Sequence, residues 1–228
     1  MPSRLSRLAG PLVIGLVGTG ILVALGIWQV QRLAWKEALI ARLEARLEAE
    51  PVPLPEAPDP ARDRFLRVRL EGRLAAGAAY VLTTRRPHGP GYKAVAPLEL
   101  ADGRRVLVDL GYLPEAERGA ALPEPGTRIE GTGALFWPEQ ASSTPAPDRE
   151  RSIFFSRHVP PLAEALGTEP VLAVAGQHDL PAPWPEPRRL GVDLPNNHRN
   201  YAITWFSLAV VWAVMSGLWA RRRLGRAG

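Results

Sequence analysis

Two long runs without charge stand near the ends of the chain, and between them the apolar residues recur at shorter periods. Pro11 to Val30 reads PLVIGLVGTGILVALGIWQV, and Tyr201 to Ala220 reads YAITWFSLAVVWAVMSGLWA. Each matches the ~20 apolar residues that a helix needs to cross the hydrocarbon core of a bilayer. The first run is longer than a signal peptide's apolar region, and no small-x-small cleavage site follows it. It passes instead into QRLAWKEALIARLEARLEAE, a helix-forming stretch, so an anchoring span is expected rather than a cleaved leader. Within that stretch Leu39, Ile40, Leu43 and Leu47 keep helical spacing among Arg42, Glu44, Arg46 and Glu48, the pattern of an amphipathic helix. The prolines of PVPLPEAPDP are expected to forbid helix and to mark a linker.

The pattern then shortens to that of strands. FLRVRLEGRL alternates apolar and basic residues from Phe65, and AYVLTTR follows around Tyr80 to Arg85. YKAVAPLEL, the turn Ala101-Asp102-Gly103 and RRVLVDLGYL predict a hairpin. TRIEGTGALFW is another strand, the polar EQASSTPAPDRERS an exposed loop, VPPLAEALG a short helix closed by glycine, and VLAVAG a last strand. LPAPWPEPRRLGVDLP is expected to be extended. The fold class expected is a membrane protein, two transmembrane α-helices at the termini flanking a β-rich α+β extracytoplasmic domain. Its parts are a cytoplasmic tail over 1–10, a first span over 11–30, a helical extension over 31–50, the domain over 51–200, a second span over 201–220 and a basic tail over 221–228.

Charge sets the orientation. Lysine and arginine outnumber aspartate and glutamate by 28 to 23, and much of the excess lies in Arg4, Arg7, Arg221, Arg222, Arg223 and Arg226 rather than in a patch, which argues against nucleic acid. Short basic flanks place both termini in the cytoplasm, so the domain faces the periplasm of a bacterial inner membrane. Ala209, Ala213 and Gly217 in the second span, with Gly20 and Ala24 in the first, form small-residue stripes through which the helices are expected to touch.

Little classical catalytic chemistry is present. There is no cysteine, which removes disulfides, thiolate metal sites and cysteine nucleophiles, and no phosphate loop, dinucleotide fingerprint or zinc motif appears. His88 lies in a turn, RPHGPGY; His158 flanks the short helix; His178 reads as a surface residue. His198 differs because it lies only about 5 Å before Tyr201 along the helix, at the membrane interface. Tyr201, Ala202 and Trp205 share its face, while Trp28, Arg32 and Trp35 share a face at the end of the first span. Two readings stay open: an aromatic belt with snorkelling cations, or a pocket for a large apolar ligand bearing a metal and carboxylates. Haem fits the second description, with histidine as axial ligand.

Taken together, LGIWQVQRLAWKEALI, GPGYKAVAPLEL, VLVDLGYLP and NNHRNYAITWF resemble the SURF1/Shy1 family of cytochrome c oxidase assembly factors, and the resemblance covers nearly the whole chain. It implies an assembly factor rather than an enzyme, one that binds haem a and helps its insertion into oxidase subunit I. It implicates His198 as ligand of the haem iron and Trp28 as its neighbour; Tyr201, Trp205 and Arg32 complete the expected cofactor site. Arg32, Lys36 or Arg199 are placed by position to pair with the propionates. Subunit I, haem a synthase and the lipid bilayer are the expected partners, with no nucleic acid. One departure is visible: relatives tend to carry Asn-Arg-Gly-Trp where this chain has Asp109-Leu110-Gly111-Tyr112. The alternative function is a scaffold without haem that docks on subunit I through the small-residue stripes. A third, a periplasmic enzyme, requires activity in the domain alone.

Overall fold

A computed structural model describes residues 4–119, 122–138, 143–181, 183–192 and 194–225. Part of the polar loop EQASSTPAPDRERS, the first residues of the N-terminal tail and Arg226 lie outside them. The chain divides into two units, Met1–Arg42 with Asp193–Gly228, and Leu43–Val192.

The second unit is built on a seven-stranded mixed sheet. Strand β1 (Arg67–Leu74) pairs antiparallel with β5 (Arg128–Leu135) along its length. At its end it also pairs with β3 (Gly89–Glu99), Arg73 opposite Glu99 and Leu74 opposite Leu98. Strand β5 runs antiparallel to β7 (Leu172–His178), β7 parallel to β4 (Arg105–Pro114), and β4 antiparallel to β3. Those pairings close β1, β5, β7, β4 and β3 into a small barrel. Strand β2 (Ala79–Arg85) and the short β6 (Ile153–Phe154) extend the sheet past β3.

Alternation decides what each face of the sheet meets. Val68, Leu70, Leu98, Val106, Val108, Leu110 and Ile129 fill the barrel interior. On the other face Val81, Val95, Leu107 and Leu172 pack against Val159 and Leu162 of α3 (Val159–Leu166), an eight-residue helix ended by Gly167 in the left-handed conformation. Strand β4 is therefore covered on both faces and reads as a nearly continuous apolar run. Each leucine so buried contributes roughly 1.5–3 kcal/mol. The β3–β4 hairpin forms around the predicted turn, with Leu100 N–H donating to the Arg104 carbonyl at 2.9 Å and Gly103 at positive φ.

Four expectations require correction. The proline-rich segment is not a free linker: Val52 pairs with Val68, and Leu54 packs on the barrel core. Nor does it exclude helix, because Asp59 caps a single turn, α2 (Pro60–Asp63), by accepting from Ala61 and Arg62 N–H at 2.9 Å. Proline is tolerated at the first helical position, where its missing N–H has no intrahelical partner to lose. His178 is half-buried at the end of β7, its Nε2–H donating to the Leu110 carbonyl at 3.0 Å while Nδ1 is buried without a partner. Cations do form a patch. Arg85, Arg86, Lys93, Arg157, Arg188 and Arg189 line one cleft of about 780 Å³. They are dispersed in sequence and brought together by β2 and the turn after it, β3, the loop before α3 and the extended segment after Trp184.

The departure Asp109-Leu110-Gly111-Tyr112 has a structural account. Leu110 is fully buried in the barrel, so this chain presents no cation to a partner at that position. Asp109 is buried beside Arg157, Oδ2 accepting from Nη1 at 3.0 Å, and Oδ1 accepts from Gly111 N–H at 3.1 Å. Gly111 has φ of +120°. A Cβ there would stand 2.0 Å from the Glu186 carbonyl oxygen. Its absence lets residue 186 cross the strand, with Tyr112 and Glu186 exchanging two backbone hydrogen bonds of 2.8 Å. Substituting Gly111→Ala combines backbone strain of roughly 1–3 kcal/mol with loss of this crossing. The variant should melt several degrees below the parent, by about 2–4 °C per kcal/mol in a protein of this size, and amides of residues 184–189 should exchange faster.

Candidate functional site

The first unit holds most of α1 (Arg4–Glu48) and α4 (His198–Gly225), both long and apolar enough to cross a membrane. Helix α4 starts three residues before the uncharged run, because Asn200 and Tyr201 N–H close a first turn on the Asn197 carbonyl. That turn places His198 at the head of the helix.

The two helices meet glycine against side chain. A Cβ on Gly15 would fall 2.8 Å from Ser216 Cβ, one on Gly18 would fall 2.2 Å from the Trp212 indole, and one on Gly26 would fall 2.6 Å from the Phe206 ring. Trp212 Nε1–H also reaches the Ile14 carbonyl at 3.3 Å. Opposite these, Ala202 and Ala209 are buried. The contacting residues of α1 thus run Gly15, Gly18, Gly26 and on to Gln29, a single face at helical spacing.

Gln29 closes this seam. It is one of three buried polar or charged residues among those described, and its Oε1 accepts from His198 Nδ1–H at 2.7 Å. In that arrangement the proton sits on Nδ1, and Nε2 carries a lone pair; it makes no hydrogen bond among the described residues. Beside it Asn196 Oδ1 is buried without a partner among the described residues. Among the described residues no three His, Asp or Glu side chains converge as a metal cluster, so a metal held here would take one imidazole from this chain.

Comparison with known proteins gives the family. The SURF1 family model matches residues 16–210, a stretch reaching from α1 to α4. The chain belongs to the SURF1 family. A Surfeit locus protein 1 from Rattus norvegicus is 29% identical over 223 residues, which cover 89% of this chain and 72% of that protein. The Homo sapiens protein of the same name is 30% identical over 223 residues, 88% and 73% of the two chains. A SURF1-like protein from Drosophila melanogaster is 31% identical over 225 residues, 89% and 74%.

In this SURF1 family member the five expected site residues are not gathered in one pocket. His198 is half-buried against Gln29, and Trp205 is half-buried on the same helix. Trp28 and Tyr201 are 54% and 56% exposed, so they form outer surface rather than an interhelical wall. Arg32 is exposed, its guanidinium 4.1 Å above the Trp35 ring. Of the three cations placed by position, Lys36 is held by the Pro195 carbonyl, and Arg199 is exposed. The cavity between the helices, about 320 Å³, lies near Gly15 and Ser216, not at His198. Gln29 was absent from the expected set. Its signal was in the sequence: it stands three residues after Gly26 and eleven after Gly18, on the glycine face.

The small-residue stripes need correcting in the same way. Ala209 is buried at the seam, but Gly20 and Ala24 face outward, and Gly20 and Gly217 have no atom within 4 Å of a built Cβ. Gly20 is two residues past Gly18, about 200° round the helix, so it cannot share the seam. In this cysteine-free chain, cysteines placed at Gly15 and Ser216 should form a disulfide on mild oxidation in membranes. Adding Gly18→Leu should cut its yield severely, since the new side chain meets Trp212; adding Gly20→Leu should leave the yield unchanged.

Proposed function

We propose that this protein is an assembly factor of haem–copper cytochrome c oxidase, binding haem a through His198 and aiding its insertion into subunit I. The observation that carries the proposal is the Gln29–His198 hydrogen bond, which fixes the tautomer and leaves Nε2 as the free nitrogen. Histidines that ligate metals ordinarily donate their other ring N–H to an oxygen acceptor in this way. The iron of haem a supplies a Lewis acid for which that nitrogen is a good ligand. Trp28 and Tyr201 offer exposed aromatic surface to the apolar macrocycle, and Arg199 and Arg32 are exposed cations for its carboxylates. Asn196 Oδ1 remains an acceptor in need of a donor.

The apolar helices support a membrane location. On this reading both spans cross the bacterial inner membrane with Arg4, Arg7 and Arg221 to Arg223 on the cytoplasmic side and the barrel domain in the periplasm. A single neutral imidazole holds its cargo less tightly than two, so the haem passes readily to a bis-histidine site on the subunit.

A second reading, a scaffold without haem, is favoured by one observation. The surfaces at Gly20, Ala24 and Gly217 are unoccupied and open to close approach by another helix.

The test is the absorption spectrum of the detergent-purified protein from cells that make haem a. The parent should carry a haem a spectrum and His198→Ala should lose it. Gln29→Leu should retain the haem but bind it some 10–100-fold more weakly, with shifted bands. An unchanged spectrum in His198→Ala would overturn the assignment. Absence of haem from the parent, with subunit I association lost in Gly20→Leu, would establish the scaffold.

A further inference from the structure

The cleft of the barrel domain is chemically distinct from the helix pair. Six cations line it against two carboxylates, Asp109 and Glu186. Both carboxylates are already engaged: Asp109 with Arg157 at 3.0 Å and Glu186 with Arg85 at 2.9 Å. Among the described residues the side chains of Arg86, Lys93, Arg188 and Arg189 have no ion-pair or hydrogen-bond partner, yet they line one concavity. Salt bridges on an ordinary surface are dispersed and individually weak; four unneutralised cations in one cleft raise one another's energy.

Lys93 carries the argument furthest. It lies mid-strand in β3, opposite Tyr112 of β4, and is partly buried. Its ammonium is lowered to about 8, chiefly by burial and then by Arg157 and Arg188, with Asp109 opposing them. Because the folded value is below the ordinary 10.5, holding the charge destabilises the fold fully below about pH 8, and the penalty fades as the pH rises toward 10.5. Nothing in the barrel's packing requires an amine at this position. The cleft wall adds Thr83 and Thr84, hydroxyl-bearing residues, and Gly111, whose lack of a side chain admits the Glu186 backbone that crosses the strand there.

We propose that this cleft is a binding site for a small multivalent oxyanion of the phosphate type, held by Arg86, Lys93, Arg188 and Arg189 around the fixed Arg157–Asp109 pair. The volume of about 780 Å³ and the concave form suit a small molecule, within the ~300–1,000 Å³ typical of such sites. Guanidinium forks match phosphate oxygens in pairs, and the lysine adds a point charge at the floor. Arg157, anchored by Asp109, needs no reordering to take part. This inference is independent of the haem reading and concerns other residues.

Titration calorimetry of the full chain in neutral detergent at low ionic strength tests it, with inorganic pyrophosphate as probe. One saturable site is expected. Lys93→Gln and, separately, Arg188→Gln should each weaken it by about tenfold, the loss of one charge-assisted hydrogen bond. Arg128→Gln, on β5 and paired with Glu130 outside the cleft, should not change it. Without ligand at pH 7, Lys93→Gln should melt no lower than the parent, which separates lost binding from lost folding. The proposal is overturned by absence of saturable binding, by equal weakening in Arg128→Gln, or by binding of a glutamate-rich peptide where pyrophosphate fails.

Discussion

A buried amide and a half-buried imidazole can remain between two apolar helices only if each satisfies the other. Gln29 and His198 do so at 2.7 Å. The other close approaches along the seam are glycines facing side chains, at Gly15, Gly18 and Gly26, and the Trp212 indole reaching the Ile14 carbonyl. Such packing permits close backbone contact but offers little directional preference, since lipid chains compete for the same apolar surface. The polar pair supplies what the glycines lack. It registers α1 against α4 and fixes which imidazole nitrogen bears the proton, so one interaction serves both packing and chemistry.

In the barrel domain the equivalent constraint is the coverage of β4 on both faces. A strand so placed must pair all its backbone groups with neighbours and keep its side chains apolar. Leu107 faces α3 and Leu110 faces the barrel interior, as the rule demands. Asp109 is the exception, and it is tolerated because Arg157 and the Gly111 amide satisfy its two oxygens. A buried carboxylate without such partners would cost several kcal/mol. Two residues on in the same strand, Gly111 admits the crossing segment that makes one wall of the cleft. Polar chemistry therefore enters this domain where the strand ceases to be purely structural.

Much of this was legible in the residues. Uncharged runs set the long helices, the Ala101-Asp102-Gly103 turn set the β3–β4 hairpin, and Gly167 marked the end of α3, each a local rule with a local cause. His198 was singled out from its place at the helix head alone. What local rules could not supply was which face of α1 meets α4. Small residues occur on several faces of that helix, and only the partner's Phe206, Trp212 and Ser216 select Gly15, Gly18 and Gly26. Choosing Gly20 and Ala24 followed from spacing without a partner, and Gln29 was overlooked for the same reason. Barrel closure was equally hidden, because β1 meets both β5 and β3, pairings between segments far apart in sequence. His178 was misplaced because its burial depends on the Leu110 carbonyl of another strand.

Charge shows the limit most plainly. Counted along the chain, the basic excess falls in the arginine-bearing ends, and the domain between is of mixed sign. Counted in space, six domain cations share one cleft with two carboxylates, Asp109 and Glu186, while other carboxylates pair on exposed surface, as Glu99 with Arg105 and Glu164 with Arg149. Those exposed pairs are solvated and of small energetic consequence. The cleft differs because Lys93 is partly withdrawn from water without an ion-pair partner among the described residues, and holding its charge there costs the fold stability. A ligand's negative charge would complete the arrangement beside the fixed Arg157 guanidinium, since partly buried charge of one sign is stable only with its complement.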